Sequence, residues 1–281
     1  LIGAGAVYTS GRRDFATGLI KESDRSRRLR SVGTLRKLTA LTDRGIRQGW
    51  WAGILAMALF VGSAVTLVVT MIDEQDGVRE MMEAFLEDDI ALEETFTEFF
   101  ALLIVVLIFA YVAQTVLKAA TSEIKGLNEL IIATGKPRNA DLVQRIMSAS
   151  IQGLLVTVVS ALLYAASVYG TTKSTDYATN ALWAVIRHFP GVIAVIGLTA
   201  LVVGVAPRLR HVVWIIPIYT WVISYYGPLL QVPEWIEKTS ILYWGEMSET
   251  HVVAWMILIA IGIGGSLGGL TVAHRRDQVM S

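Results

Sequence analysis

Six stretches of this 281-residue chain contain no Asp, Glu, Lys, Arg or His: 50–72, 99–117, 146–169, 189–206, 212–230 and 252–273. At a rise of about 1.5 Å per residue each is long enough to cross a hydrocarbon core of about 30 Å as a helix. Backbone amides in lipid must bond within their own segment, and the apolar/polar alternation of a barrel strand is missing, so the fold class is all-α. The architecture expected is a polytopic transmembrane bundle of six spans. The 54% hydrophobic and 17% charged composition fits that reading, because the charges sit between the apolar blocks rather than among them.

Lys and Arg orient the bundle. Twenty of the 24 fall in alternating segments: 12–47, 118–145, 208–210 and 275–276; the intervening loops hold only Arg79, Lys173, Arg187 and Lys238. The positive-inside rule therefore places the basic segments and both chain ends in the cytoplasm of a multi-pass cell-membrane protein. The segment 73–98 carries eleven acidic residues against Arg79, which agrees with an outer position. Trp50, Trp51, Tyr169, Trp235, Tyr243 and Trp244 lie near the expected interfaces, where amphipathic rings are favoured. Residues 1–8 are apolar but cover only about 12 Å, and read as the tail of a preceding span. Residues 9–48 then form a cytoplasmic basic segment, and 49–281 the six-span domain.

The spans lack what several function classes need. Transport coupled to protons or sodium ordinarily uses ionisable groups at membrane depth, and none is expected here. His188, His211, His251 and His274 fall at or beyond span ends, and the H-E-x-x-H spacing of a zinc helix is absent. Without cysteine there is neither a thiolate nucleophile nor a cysteine metal site. Gly135 and Lys136 are followed by Pro137, where a phosphate-binding loop requires Ser or Thr. The acidic triplet Glu87, Asp88 and Asp89 could hold a hard cation, but a solvated helical face is the better reading. No catalytic or metal-binding set emerges, and no cofactor is expected on this chain. Active transport would then draw its energy from another polypeptide.

Two cytoplasmic segments stand out. Residues 31–48 read as a helix entering the first span, with Val32, Leu35, Leu38 and Leu41 on one stripe and Arg36, Lys37, Arg44 and Arg47 elsewhere. An interfacial amphipathic elbow and a simple basic anchor account for it equally well. The segment 118–145 spaces Glu123, Gly126 and Glu129 as E-x-x-G-x-x-E, then runs through apolar residues to Ala133, Thr134 and Arg138.

That pattern resembles the coupling-helix region of type-2 ATP-binding-cassette export permeases, in particular the polyketide-antibiotic exporters of the tetronasin-resistance kind. Gly135, Lys136 and Pro137 depart from the usual filling before the arginine. Arg13, Asp14 and Gly18 before the elbow, Gly49 and Trp50 at the first span, the stretch 190–208 and its inner turn, and Gly227, Pro228, Val232, Pro233 and Trp235 resemble the same family in order.

The resemblance implies a permease rather than an enzyme, working with a cytoplasmic ATPase dimer that carries ATP and Mg, and with a second six-span half, in the same polypeptide or as a second copy. Glu123, Gly126, Glu129, Thr134 and Arg138, with the elbow, would dock on that ATPase. Membrane lipid and an amphiphilic small-molecule cargo are the other partners implied; nucleic acid is not. Tyr111, Gln114, Tyr219, Thr220, Ser224 and Tyr225 are the polar groups on the second and fifth spans available to line a cargo path. Gly264, Gly265, Gly268 and Gly269 give overlapping small-x-x-x-small pairs suited to close helix approach. The competing classes are a polytopic intramembrane enzyme and a non-transporting membrane scaffold.

Overall fold

The computed structural model describes residues 35–73, 92–227, 230–245 and 251–276. The expected span tail at 1–8, the basic segment up to residue 34 and the triplet Glu87, Asp88 and Asp89 lie outside the described residues. No strand occurs among the residues that are described.

A short helix, α1 (Leu35–Thr42), leads into α2 (Arg44–Asp73). Helical hydrogen bonding runs through the elbow between them: Asp43 N–H donates to Thr39 O (3.0 Å) and Arg47 N–H to Asp43 O (2.9 Å). Next come α3 (Leu92–Ile124), the seven-residue α4 (Leu127–Ala133) and α5 (Ala140–Thr172). Then α6 (Thr175–Ile186) and α7 (Phe189–Val205) are joined through Arg187 and His188. The last long helix, which we number α10 in chain order, is His251–Arg275.

Five helical stretches are long and apolar enough to cross a membrane: Arg44–Val65, Phe96–Ile124, Ala140–Thr172, Thr175–Val205 and Val252–Arg275. Four agree with charge-free windows. The stretch around the 189–206 window instead begins at Thr175, because Arg187 N–H donates to Trp183 O, His188 N–H to Val185 O and Val192 N–H to His188 O, so the helical ladder carries across two ionisable residues. The 212–230 window is not one helix. A 3₁₀ helix (Pro207–Trp214) with a kink at Leu209 precedes α8 (Ile215–Tyr226), and twelve residues reach only about 18 Å. Beyond it, α9 is the single turn Glu234–Glu237.

The third element is the hub. Ala101, Ile104, Val105, Ile108, Phe109, Val112 and Val116 of α3 are buried, and α3 packs against α2, α5, α6, α7, α8 and the 3₁₀ helix. The Tyr164 hydroxyl donates to Thr97 O (2.8 Å), tying α5 to α3, and Ser167 Oγ donates to Leu59 O (3.0 Å), tying α5 to α2. Large apolar side chains face outward instead: Phe60 is 69% exposed, and Leu67, Leu162, Ile257 and Leu267 are also exposed. A water-soluble domain would not leave so much contiguous apolar surface uncovered; lipid is the solvent that suits it.

The closest helix pair is α7 with α10. A Cβ on Gly265 would lie 2.6 Å from Gly197 O, and Cβ atoms on Gly197, Gly204 and Gly269 would overlap the facing backbone of Gly262, Gly269 and Ala200. Backbone therefore meets backbone, with small residues permitting the approach that van der Waals packing in lipid needs. Of the four glycines singled out in the last span, Gly265 and Gly269 make this seam. Gly264 faces open space, and Gly268 meets only the Leu201 side chain.

Candidate functional site

At the end of the bundle that carries the basic segments, α3 stops because Gly126 adopts a left-handed conformation (φ 70°), which an L-residue with a Cβ disfavours. Gly126 N–H donates to Glu123 O (2.9 Å), and α4 follows at once. Thr134 closes α4, its hydroxyl donating to Ile131 O (2.6 Å); Gly135 is again left-handed (φ 79°), and Pro137 precedes α5. Thus α4 is a short lever set between two left-handed glycines. Its Leu127 and Leu130 are exposed, as are Glu129 on the same helix and Arg138 beyond it.

Glu123 does not share that face. It is 6% exposed and forms a two-pronged ion pair with Arg276, Nη1 to Oε1 at 2.7 Å and Nη2 to Oε2 at 2.6 Å. Arg276 also donates through Nε to Gly204 O (2.7 Å), so a single guanidinium fastens the end of α10 to α3 and α7. The reading of Glu123 as a surface charge for a partner gives way to an internal clamp. Its sequence signal was faint, since the two residues lie 153 positions apart.

A second ionic cluster binds the elbow to the bundle. Asp43 pairs with Lys118 Nζ (3.1 Å) and with Arg145, and Arg145 Nε lies 3.5 Å from Asp141. Asp43 is the one acid within 31–48, and Asp141 and Arg145 stand four apart on one helix, so both features were visible in the sequence. Of the elbow residues, Arg36, Leu41 and Arg44 are exposed and Leu35 is half-buried; the Leu38 side chain lies outside the described residues.

The six residues offered as a cargo path do not share one cavity. Tyr111 and Gln114 line an inner cavity of about 160 Å³, where Trp50 Nε1 donates to Gln114 Oε1 and the Trp50 and Tyr111 rings stand 6.1 Å apart. Tyr219 and Thr220 border an apolar groove of about 650 Å³ between α8, α10 and the segment 238–244. Ser224 faces a third cavity, of about 320 Å³, beside Glu98, Arg187, His188, Glu237 and Tyr243. The Tyr225 hydroxyl donates to Phe99 O (3.0 Å) with its ring 4.2 Å from that of Phe99, a helix-packing contact.

The third cavity corrects the expectation for His188. Rather than ending a span, it sits within the continued helical path, 3% exposed beneath Gly245, and its Nε2 has no hydrogen-bond partner among the described residues. Arg187 beside it is buried too and pairs with Glu98 at 2.7 Å. Buried charge is therefore found at the start of α3, opposite the basic end, as well as in the two clusters at the basic end.

Stacked apolar helices with a lipid-facing exterior define a multi-pass membrane protein. A family model described as "Multidrug efflux system permease Rv1217c, C-terminal domain" matches residues 36–274, most of the chain, and the protein belongs to that family of efflux permeases. A search of curated proteins found no match.

Proposed function

We propose that this permease domain is one six-span half of an ATP-driven exporter of the type-2 ATP-binding-cassette kind. It moves antibiotic-like or other amphiphilic compounds out of the cell by alternating access between inward and outward states. The observation that carries this reading is α4: a rigid turn of helix between two left-handed glycines, offering Leu127, Glu129 and Leu130 at the basic end while joined directly to the central helix α3. An apolar pair flanked by charge is a suitable face for a cytoplasmic ATPase dimer, which would hold the ATP and Mg. The exposed elbow residues Leu41 and Arg44 form the second contact.

In this mechanism ATP binding draws two ATPases together, and the displacement of α4 passes to α3 and so to the helices packed around it. Cargo and nucleotide must favour different arrangements for either to shift the equilibrium. The Glu123–Arg276 clamp makes α10 follow α3, and the α7–α10 seam makes α7 follow α10. The partner bundle is a second six-span half. The fifth of the six crossings is the 3₁₀ helix with α8, whose eight and twelve residues together make roughly 34 Å of helical path. The E-x-x-G-x-x-E spacing supports the polyketide-antibiotic branch. The apolar groove bordered by Tyr219 and Thr220, with Lys238 and Trp244 at its rim, suits an amphiphile entering from lipid.

The test is to express the full permease with the ATPase encoded beside it and measure cargo-stimulated hydrolysis. Glu129→Lys combined with Leu130→Asp should lower stimulated hydrolysis by about tenfold or more, as loss of a central interface contact does, with insertion unchanged. Full stimulation in the variant would remove α4 from the coupling role.

A further inference from the structure

The apolar run of α2 opens just after Arg47, that of α3 closes at Lys118, and that of α5 opens after Arg145. Basic side chains at such positions lie at the level of lipid headgroups. Together with α1, these helix ends enclose the inner cavity of about 160 Å³, lined by Arg36, Arg47, Lys118 and Arg145 against the single acid Asp43. Asp43 is already engaged by Lys118 and Arg145. Arg36 and Arg47 have no carboxylate partner among the described residues. Two cationic forks thus face a cavity whose anionic charge is spent, and Gln144, Ser148 and Gln152 add neutral donors.

The same cavity has an apolar side. Ile46, Met147 and Ile151 line it and are each about half exposed (49, 53 and 45%), continuing from the polar chamber onto the lipid-facing surface. A drug-sized molecule ordinarily needs a pocket of about 300–1,000 Å³, so this chamber suits a smaller anionic group attached to chains that remain in the membrane.

We propose that the cavity binds the phosphate headgroup of an anionic phospholipid, held by Arg36 and Arg47, with the acyl chains lying along Ile46, Met147 and Ile151. Guanidinium forks match phosphate oxygens in pairs, and basic residues beside a span attract anionic lipid. The bound lipid bridges α1 and α2 to α5, and so braces the elbow. The inference rests on the membrane reading and not on the source of transport energy.

The experiment is native mass spectrometry of the delipidated full-length permease, titrated separately with dioleoyl-phosphatidylglycerol, dioleoyl-phosphatidylcholine and inorganic phosphate. Phosphatidylglycerol should be retained several-fold better than phosphatidylcholine. The double variant R36Q/R47Q should cut that retention by about tenfold or more, whereas R275Q, an exposed arginine at the same end, should leave it unchanged. Should the double variant melt earlier than the parent, R36Q alone, on the exposed side of α1, carries the comparison. Equal retention of the two lipids, or undiminished phosphatidylglycerol binding in the arginine variants, would overturn the proposal. Displacement by inorganic phosphate at matching concentration would make this a free-anion site, and displacement by an amphiphilic drug a cargo site; either also overturns it.

Discussion

Arg276 shows how much one side chain can hold at the end of a span. Its guanidinium satisfies Glu123 through two nitrogens and Gly204 O through a third, at the junction of three helices. Removing one member of a buried pair leaves the other charge uncompensated, which costs about 3–5 kcal/mol where burial is complete. Arg276 keeps 18% of its side chain exposed, so R276Q should fall at the low end of that range, read as a lowered thermal midpoint in detergent. The charge swap E123R/R276E should recover part of the loss, because it restores the pair but not the bond to Gly204 O. A swap no better than the single variant would make the carbonyl bond, rather than the ion pair, the holding contact. At this scale the sequence was uneven as a guide. Gly126 belonged to the coupling pattern and Gly135 was a departure from it, yet both prove left-handed. Glu123 belonged to the same pattern yet turns inward, because its partner comes from the far end of the chain and no local spacing encodes that pairing.

The helix elements were legible where hydropathy alone decides. Four charge-free windows became continuous helices, since a run of apolar residues in lipid has few alternatives to intrahelical bonding. The 212–230 window shows the limit: hydropathy measures solvent preference, whereas Pro217, which has no N–H to bond the preceding turn, governs where the α-helix begins. Arg187 and His188 misled in the opposite direction, looking like a boundary in the sequence while lying inside a continued helical path. Glycine content foretold close approach by the last span, but not its partner. The facing set is Gly197, Ala200 and Gly204 on α7, which only the tertiary fold brings into register. The seam makes a sharp prediction. G197A gains helix propensity, worth about 1 kcal/mol, but drives a methyl into the Gly262 backbone, and overpacking of about 1–3 kcal/mol or more should win. Its thermal midpoint should therefore drop, while that of G264A, which faces open space, should hold or rise slightly. Equal behaviour of the two variants would mean that α7 and α10 are not in backbone contact.

Across the whole molecule, the two ends of the bundle offer different places for the energy of transport to enter. The basic end offers the exposed helix α4, backed by ion pairs that join neighbouring helices; in our reading these pass motion from α4 into the bundle. The opposite end holds the buried Arg187, its half-exposed partner Glu98 and His188, a second place among the described residues where ionisable groups gather beside a cavity. If that cluster served coupling, proton movement would drive cargo; in our reading it closes the outer mouth through a static ion pair. Replacing Glu98 with Gln should therefore slow transport through a loosened outer mouth without giving it a new dependence on pH, which a rate profile from pH 6 to pH 8 would check. The decisive measurement uses proteoliposomes containing the full permease and its ATPase, loaded with a fluorescent amphiphile. Movement of the amphiphile should require ATP, stop with vanadate and persist when ionophores abolish the proton gradient. Transport driven by an imposed pH gradient without ATP would contradict the account.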